Sequence, residues 1–148
     1  PLAVGCYRSP YGAIVQAPGF AYRIKAEVLE VTLADSPDLR QKLTRFALLQ
    51  GMQVAQLAAC NRLHEIDQRL ARWMLMCSDR LESDLLPMTH EFFAEMLGTG
   101  RPTISVAAAV LQRAGFIQYA RGTVKITDRS GLESAACECY KVIQEFDR

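Results

Sequence analysis

The sequence predicts an α+β chain in three parts, and three observations carry that reading. Residues 1–25 alternate short apolar runs with turn residues. A helical pattern then runs from Ser36 for about 25 residues with Gly51 as its one breaker. From Pro87 onward, two short helical patterns flank Gly98-Thr99-Gly100 and are followed by two alternating strand patterns.

In the first part Gly5, Ser9-Pro10, Gly12 and Pro18-Gly19 punctuate runs such as Ala13-Ile14-Val15 and Phe20-Ala21-Tyr22. These read as short strands, too few to close a barrel alone, and so as the tail of a larger β domain. The chain opens at Pro1 without an initiating Met, which agrees with a truncated β domain. Residues 26–34 predict a short helix carrying Val28, Leu29 and Leu33.

Asp35-Ser36-Pro37-Asp38 marks the next helix start. Ser36 caps, Pro37 needs no amide donor in the first turn, and Asp38 complements the positive helix end. Along this helix Ala47, Gly51, Val54, Ala58 and Asn61 recur at alternating spacings of four and three, the seam of a coiled coil, and Leu43 extends it one turn toward the N-terminus. Small residues along the seam let a second helix approach closely. The seam reads as a homodimer interface, against the alternative of a long helix packing on its own domain. Leu63–Glu82 predicts a further helix with a Trp73/Met74 core stripe, and residues 83–87 a linker.

Thr89 caps the helix that starts at His90, and Gly98-Thr99-Gly100 ends it in a tight turn. The next helix begins at Arg101-Pro102-Thr103 and buries Ile104, Ala107, Ala108 and Leu111. Two short helices across a glycine turn make a helix-turn-helix, and the hairpin predicted after it, around Arg121-Gly122, makes a wing. Asp128–Arg148 predicts one closing helix.

Composition limits the alternatives. Half of the 148 residues are apolar and 22% are charged, which supports a packed core. A net charge of +1 gives no global attraction to nucleic acid, so any such role rests on a local patch. The longest uncharged stretch, Phe46–Asn61, holds three glutamines and a glycine and is too short and polar to span a bilayer. No signal peptide opens the chain, and no membrane partner is expected. Five cysteines (Cys6, Cys60, Cys77, Cys137 and Cys139) match no disulfide framework and no paired metal knuckle, which points to a reducing, cytoplasmic setting. Cys60 and Cys77 read as buried thiols, and His64 as a surface or capping residue without a partner. Cys137-Glu138-Cys139 is either a redox pair or two structural thiols; residues two apart point to different helix faces, which favours the second. No metal site is expected. With two histidines, no phosphate-cradling loop and no nucleophile elbow, nothing suggests an enzyme.

The segment Leu86-Pro87-Met88-Thr89 through Arg121-Gly122 and Ile126-Thr127-Asp128-Arg129 resembles the winged helix of the Crp/Fnr family of bacterial transcription regulators. The order is family-specific in T-H-E-F-F-A-E-M-L-G-T-G-R-P-T-I-S-V and in L-Q-R-A-G-F-I-Q-Y-A-R-G. It extends back through R-L-A-R-W-M-L-M and the long helix, about three quarters of the chain.

The resemblance implies three parts. These are 1–35 as the C-terminal part of a β-roll effector domain of the cyclic-nucleotide-binding type, 36–62 as the dimerisation helix, and 63–148 as the DNA-binding domain. Arg101 matches the arginine that enters the major groove, where a guanidinium pairs with both acceptors of guanine. Thr89, Thr99, Thr103 and Ser105 fall where phosphate or base-edge contacts are made, and Arg121 and Lys125 on the 116–126 wing where backbone phosphates lie. Pro102 stands where an acidic base-reading residue is frequent and Val106 where a second arginine is, which implies narrower or more apolar readout, including thymine methyls.

The partners implied are double-stranded DNA, a second copy of the chain, and RNA polymerase if the protein activates. Within 87–129 five basic residues face three acidic ones, so affinity would come from dimerisation on paired half-sites. Cyclic-nucleotide-binding members place an arginine and a small hydroxyl residue where this chain has Tyr11-Gly12, and their usual Gly-Glu is missing. Cyclic AMP is therefore not expected, no cofactor is assigned, and the effector stays open. A winged helix that serves protein contacts instead of DNA is the competing reading, favoured by the alanine-rich Ala107-Ala108-Ala109.

Overall fold

Ser36 starts the longest helix as the pattern predicts. Its Oγ accepts from the Leu39 amide at 3.4 Å, and α2 runs from Pro37 to Leu63. The computed structural model describes residues 2–9, 12–16 and 18–146. The chain divides into two compact units, Pro1–Val54 and Ala55–Arg148.

In the first unit α1 (Ala26–Asp35) precedes α2, and the Arg40 guanidinium closes the corner between them. Its Nε and Nη2 both donate to the Leu33 carbonyl, at 3.2 and 3.1 Å. The strands expected over 1–25 do not form among the described residues, where the stretch holds a 3₁₀ turn at Leu2–Val4 and otherwise chain without regular secondary structure. A strand needs a neighbour for its backbone groups and a layer for its apolar face, and here Ile14, Val15, Phe20 and Tyr22 stand exposed. Pro10 and Tyr11, on which the Ser9-Pro10 turn and the Tyr11-Gly12 comparison rest, lie outside the described residues.

The second unit is a mixed helix-and-sheet domain. The last turns of α2 are followed by α3 (Ile66–Leu81), β1 (Leu85–Leu86), α4 (His90–Leu97), α5 (Arg101–Arg113), β2 (Ile117–Ala120), β3 (Thr123–Ile126), α6 (Arg129–Ala135) and α7 (Cys139–Phe146). Leu70, Met74 and Leu75 of α3 pack with Phe93, Ile104, Leu111, Val124, Leu132 and Ile143 into one core, and Trp73 sets its edge on Phe92 and Phe93. Burial of this stripe, rather than helix propensity, holds the short helices. No helix among the described residues is long and apolar enough to cross a membrane.

Three expectations need correction here. The helix expected from Leu63 begins at Ile66, because the chain turns at His64-Glu65 and the Glu65 amide is taken up by Gln68 Oε1 at 3.2 Å. The 83–87 linker contains β1, which pairs antiparallel with β3 through Leu85–Lys125 and Leu86–Val124, so the wing is a three-stranded sheet of order β1-β3-β2. The single closing helix is two, broken where Ala136 turns extended. That break buries both Cys137 and Cys139, which a continuous helix could not do with residues two apart.

Candidate nucleic-acid interface

Thr89 caps α4 by accepting from the Phe92 amide at 3.2 Å, and Gly98 ends the helix at φ +62°, a left-handed conformation that glycine adopts without cost. The Arg69 guanidinium donates to the Leu97 carbonyl and holds this end of α4 against α3. The chain then enters α5 at Arg101, with Pro102 in the first turn. Ile104, Ala107, Ala108 and Leu111 are buried beneath, which leaves Arg101, Pro102, Thr103 and Val106 exposed on the outer face. The Arg101 guanidinium makes no hydrogen bond or ion pair among the described residues.

The wing turns at Arg121-Gly122, where both residues have positive φ (49° and 80°), the two-residue turn whose twist matches paired strands. Its tip lies against the start of α4: a Cβ on Gly122 would stand 3.5 Å from Thr89 Cγ2. The His90 ring stacks on Tyr119 of β2, with centroids 4.0 Å apart. His90 Nδ1 also lies 3.0 Å from Ser105 Oγ, which donates its own proton to the Arg101 carbonyl at 3.1 Å. The start of α4, the start of α5 and the wing are thus joined through one histidine. Burial, and then the nearby Arg101 charge, lower the His90 pKa.

Residues 68–135 match the family model of the Crp-like helix-turn-helix domain. This segment is similar to a Crp-like helix-turn-helix domain. Among solved structures, it is similar to a Crp/Fnr-family protein from Eubacterium rectale (24% identity, TM-score 0.59), across 74% of this chain and 51% of that one. It is also similar to a CRP-family transcriptional regulator from Thermus thermophilus (26% identity, TM-score 0.58), across 65% of this chain and 52% of that one. The first likeness shows the fold alone. The chain spans about half the length of either structure. No curated protein sequence matches it.

Within this Crp-like domain the predicted residues fall into two groups. Arg101, Pro102, Thr103, Val106, Arg121 and Lys125 are exposed, and Lys125 lies on the opposite side of β3 from buried Val124 and Ile126. Thr89, although exposed, spends its hydroxyl on the α4 cap, and half-buried Ser105 spends its own on the relay to His90 and Arg101. Thr99 is half-buried in the turn, its amide bonded to the Ala94 carbonyl. Sequence reasoning missed His90 as the residue joining the three parts, since its partners lie 15 and 29 positions away. In α2, Leu43 and Ala47 line an apolar groove with Leu29 and Phe46, while Gly51, Val54, Ala58 and Asn61 are exposed.

A second cluster forms where the sequence suggested isolated residues. Cys60 in the last turn of α2 and His64 just past its end share one face, and the α6–α7 junction brings Cys137 and Cys139 to them. Cys60 Sγ is 3.5 Å from Cys137 Sγ, Cys139 Sγ is 3.6 Å from His64 Nδ1, and all four ligating atoms lie within 4.8 Å of one another. His64 Nε2 stands 3.0 Å from Glu138 Oε1, and Gln56 Nε2 donates to Cys139 Sγ at 3.1 Å. Burial raises the Cys60 thiol and pushes the Cys137 thiol up to about 12. His64, expected without a partner, therefore has two, Cys139 at Nδ1 and Glu138 at Nε2. The available signal was Cys-x-x-x-His at one-turn spacing, followed far along the chain by Cys-x-Cys.

Proposed function

We propose that the chain is a sequence-specific transcriptional regulator that binds an approximately palindromic operator as a homodimer. The observation that carries this is the exposed first turn of α5, where the unpaired Arg101 guanidinium stands beside a wing tipped by Arg121. A guanidinium at that place reads guanine in the major groove, while Arg121 and Lys125 meet phosphates and set the register. Thr89, Thr99, Thr103 and Ser105 line the approach to the duplex, and Pro102 and Val106 add apolar contacts such as thymine methyls.

In this reading residues 1–35 are the end of a β-roll effector domain, 36–62 the dimerisation helix and 63–148 the reading head. Leu43, Ala47, Gly51, Val54, Ala58 and Asn61 form the seam between two copies. The exposure of Phe46, Leu48, Met52 and Val54 along α2 supports a covering helix, since apolar side chains of this size gain from burial. Two recognition helices one turn of DNA apart then demand a two-fold operator. The protein works in the cytoplasm, with RNA polymerase as its further partner where it activates. The effector stays open, and cyclic AMP is not expected to be it.

The test is selection of bound sequences from random duplex DNA, run beside Arg101→Ala. An enriched palindrome, weakened about 5- to 150-fold for each half-site in the variant, is the expected result, the loss of one bidentate base contact per half-site. Absence of enrichment at low salt, both with this chain and with a version extended at its N-terminus, would leave the winged helix as a protein-binding module.

A further inference from the structure

We propose that Cys60, His64, Cys137 and Cys139 together bind one Zn²⁺ ion, in a closed structural site whose four ligands all come from this chain. The proposal does not depend on what the winged helix binds.

The first argument is size. A tetrahedral zinc ion with bonds of about 2.3 Å to sulfur and about 2.0 Å to nitrogen separates two sulfurs by about 3.8 Å, and a sulfur from a nitrogen by about 3.5 Å. The Cys60–Cys137 sulfurs at 3.5 Å and the Cys139–His64 pair at 3.6 Å already stand at those edges. The remaining separations, none above 4.8 Å, need only small rotations of the side chains. An iron–sulfur cluster spreads its thiolates over several metal atoms and needs a wider cage.

The second is chemistry. Three thiols and one imidazole suit a borderline-soft cation, and no carboxylate belongs to the set, which disfavours calcium and magnesium. Three cysteines are buried and His64 is half-buried, and four protein ligands complete a tetrahedron, which leaves no position for water or substrate. That is the form of a structural site.

The third is the surrounding shell. With Nδ1 turned to the sulfurs, His64 Nε2 meets the Glu138 carboxylate at 3.0 Å, the carboxylate–histidine–metal arrangement that fixes ring and tautomer. The Gln56 amide donates to Cys139 Sγ, a bond that strengthens when the sulfur is anionic.

The fourth is a charge with no other account. Arg72 is 1% exposed, its Nη1 reaches only the Met76 thioether at 3.2 Å, and its Nε has no partner. A guanidinium buried this way is costly unless an anion faces it. Its field acts on both Cys60 and Cys137. One Zn²⁺ with three thiolates and a neutral imidazole carries a net charge of −1, which Arg72 offsets. Binding releases the three thiol protons to solvent.

The ion would pin the end of α2 to the α6–α7 junction. It would also account for the break between α6 and α7, since an unbroken helix could not offer both cysteines.

The test uses the full chain, purified under reducing conditions, with zinc measured per chain by mass spectrometry of the metal. One zinc per chain is expected. The metal-free chain titrated with Co²⁺ should show sulfur-to-cobalt charge-transfer bands and the ligand-field bands of a tetrahedral ion, bleached by added Zn²⁺. Competition with a chromophoric chelator should show Cys137→Ser weakening Zn²⁺ by more than about 100-fold, beyond the usual cost of losing an outer-shell partner. Cys6→Ser, at an exposed thiol outside the cluster, should leave it unchanged. If Cys137→Ser fails to fold, Glu138→Gln decides, with a loss of about 10- to 100-fold expected. Substoichiometric zinc without charge-transfer bands would overturn the site. So would undiminished affinity in the deciding variant, or a Cys60–Cys137 disulfide in the freshly purified chain.

Discussion

His90 stacks on Tyr119 with ring centroids 4.0 Å apart and planes 28° from parallel, and this contact ties the wing to the first helix of the helix-turn-helix. The same histidine reaches Ser105 and, through it, the backbone at Arg101. The wing and the recognition helix are therefore positioned by one side chain. Removing either ring should loosen the wing. In a double-mutant cycle of His90→Ala and Tyr119→Ala, followed by urea denaturation, the coupling should be about 1 kcal/mol. Strictly additive losses would mean that the stacking holds nothing.

Gly51 is exposed, and a Cβ placed there meets nothing within 4 Å in the single chain. Gly51→Leu should thus cost the monomer nothing and favour the helix by about 1 kcal/mol. If the seam is the dimer contact, the same leucine forces two closely approaching helices apart. Sedimentation should then show a dimer that dissociates at lower dilution than the parent while the helical circular dichroism is kept. An unchanged dimer would move the interface elsewhere.

The contrast between what local pattern reveals and what it hides is plain in this chain. Gly98, Pro102 and Arg121-Gly122 act within a few residues of themselves, so the helix-turn-helix and the hairpin could be read from their spacing. Leu85-Leu86 could not be read as a strand, because two leucines have no period and pair with Lys125 and Val124 some 40 positions on. The cysteine–histidine cluster is hidden for the same reason: Cys60 and Cys137 are 77 positions apart. The runs within 1–25 err in the other direction. Their alternation is strand-like, yet no strand forms there among the described residues.

Gly131 sits in the first turn of α6, with its amide bonded to the Asp128 carboxylate at 2.9 Å. Alanine in a helix is ordinarily worth about 1 kcal/mol more than glycine. Here the sign should reverse. A Cβ at Gly131 would meet the Phe116 ring and the Asp128 carboxylate well inside contact distance, so the ring must move or the cap must open. Gly131→Ala should destabilise the domain by about 1–3 kcal/mol in chemical denaturation. A gain in stability would show that Phe116 has room to yield.

Tyr140 stands at the centre of a polar network that ties α7 to α3 and α6. Its hydroxyl donates to Asp79 Oδ2 at 2.9 Å and accepts from Arg129 Nη2 at 2.9 Å and Gln144 Nε2 at 2.8 Å. Burial, reinforced by the bond to Asp79, pushes the phenol up to about 12 from its ordinary 10.0. The folded chain therefore keeps a proton that the unfolded chain gives up above pH 10. The stability Tyr140 contributes is fully present below the unfolded value and is lost as pH rises toward 12. Tyr140→Phe should be less stable at pH 7, because Asp79 and Arg129 lose a partner. Its stability should also fall less steeply than the parent's between pH 10 and 12. Other groups titrating in that window do so in both proteins, so the difference between the two denaturation series isolates this phenol. Parallel curves across that range would place its ionisation outside the folding equilibrium.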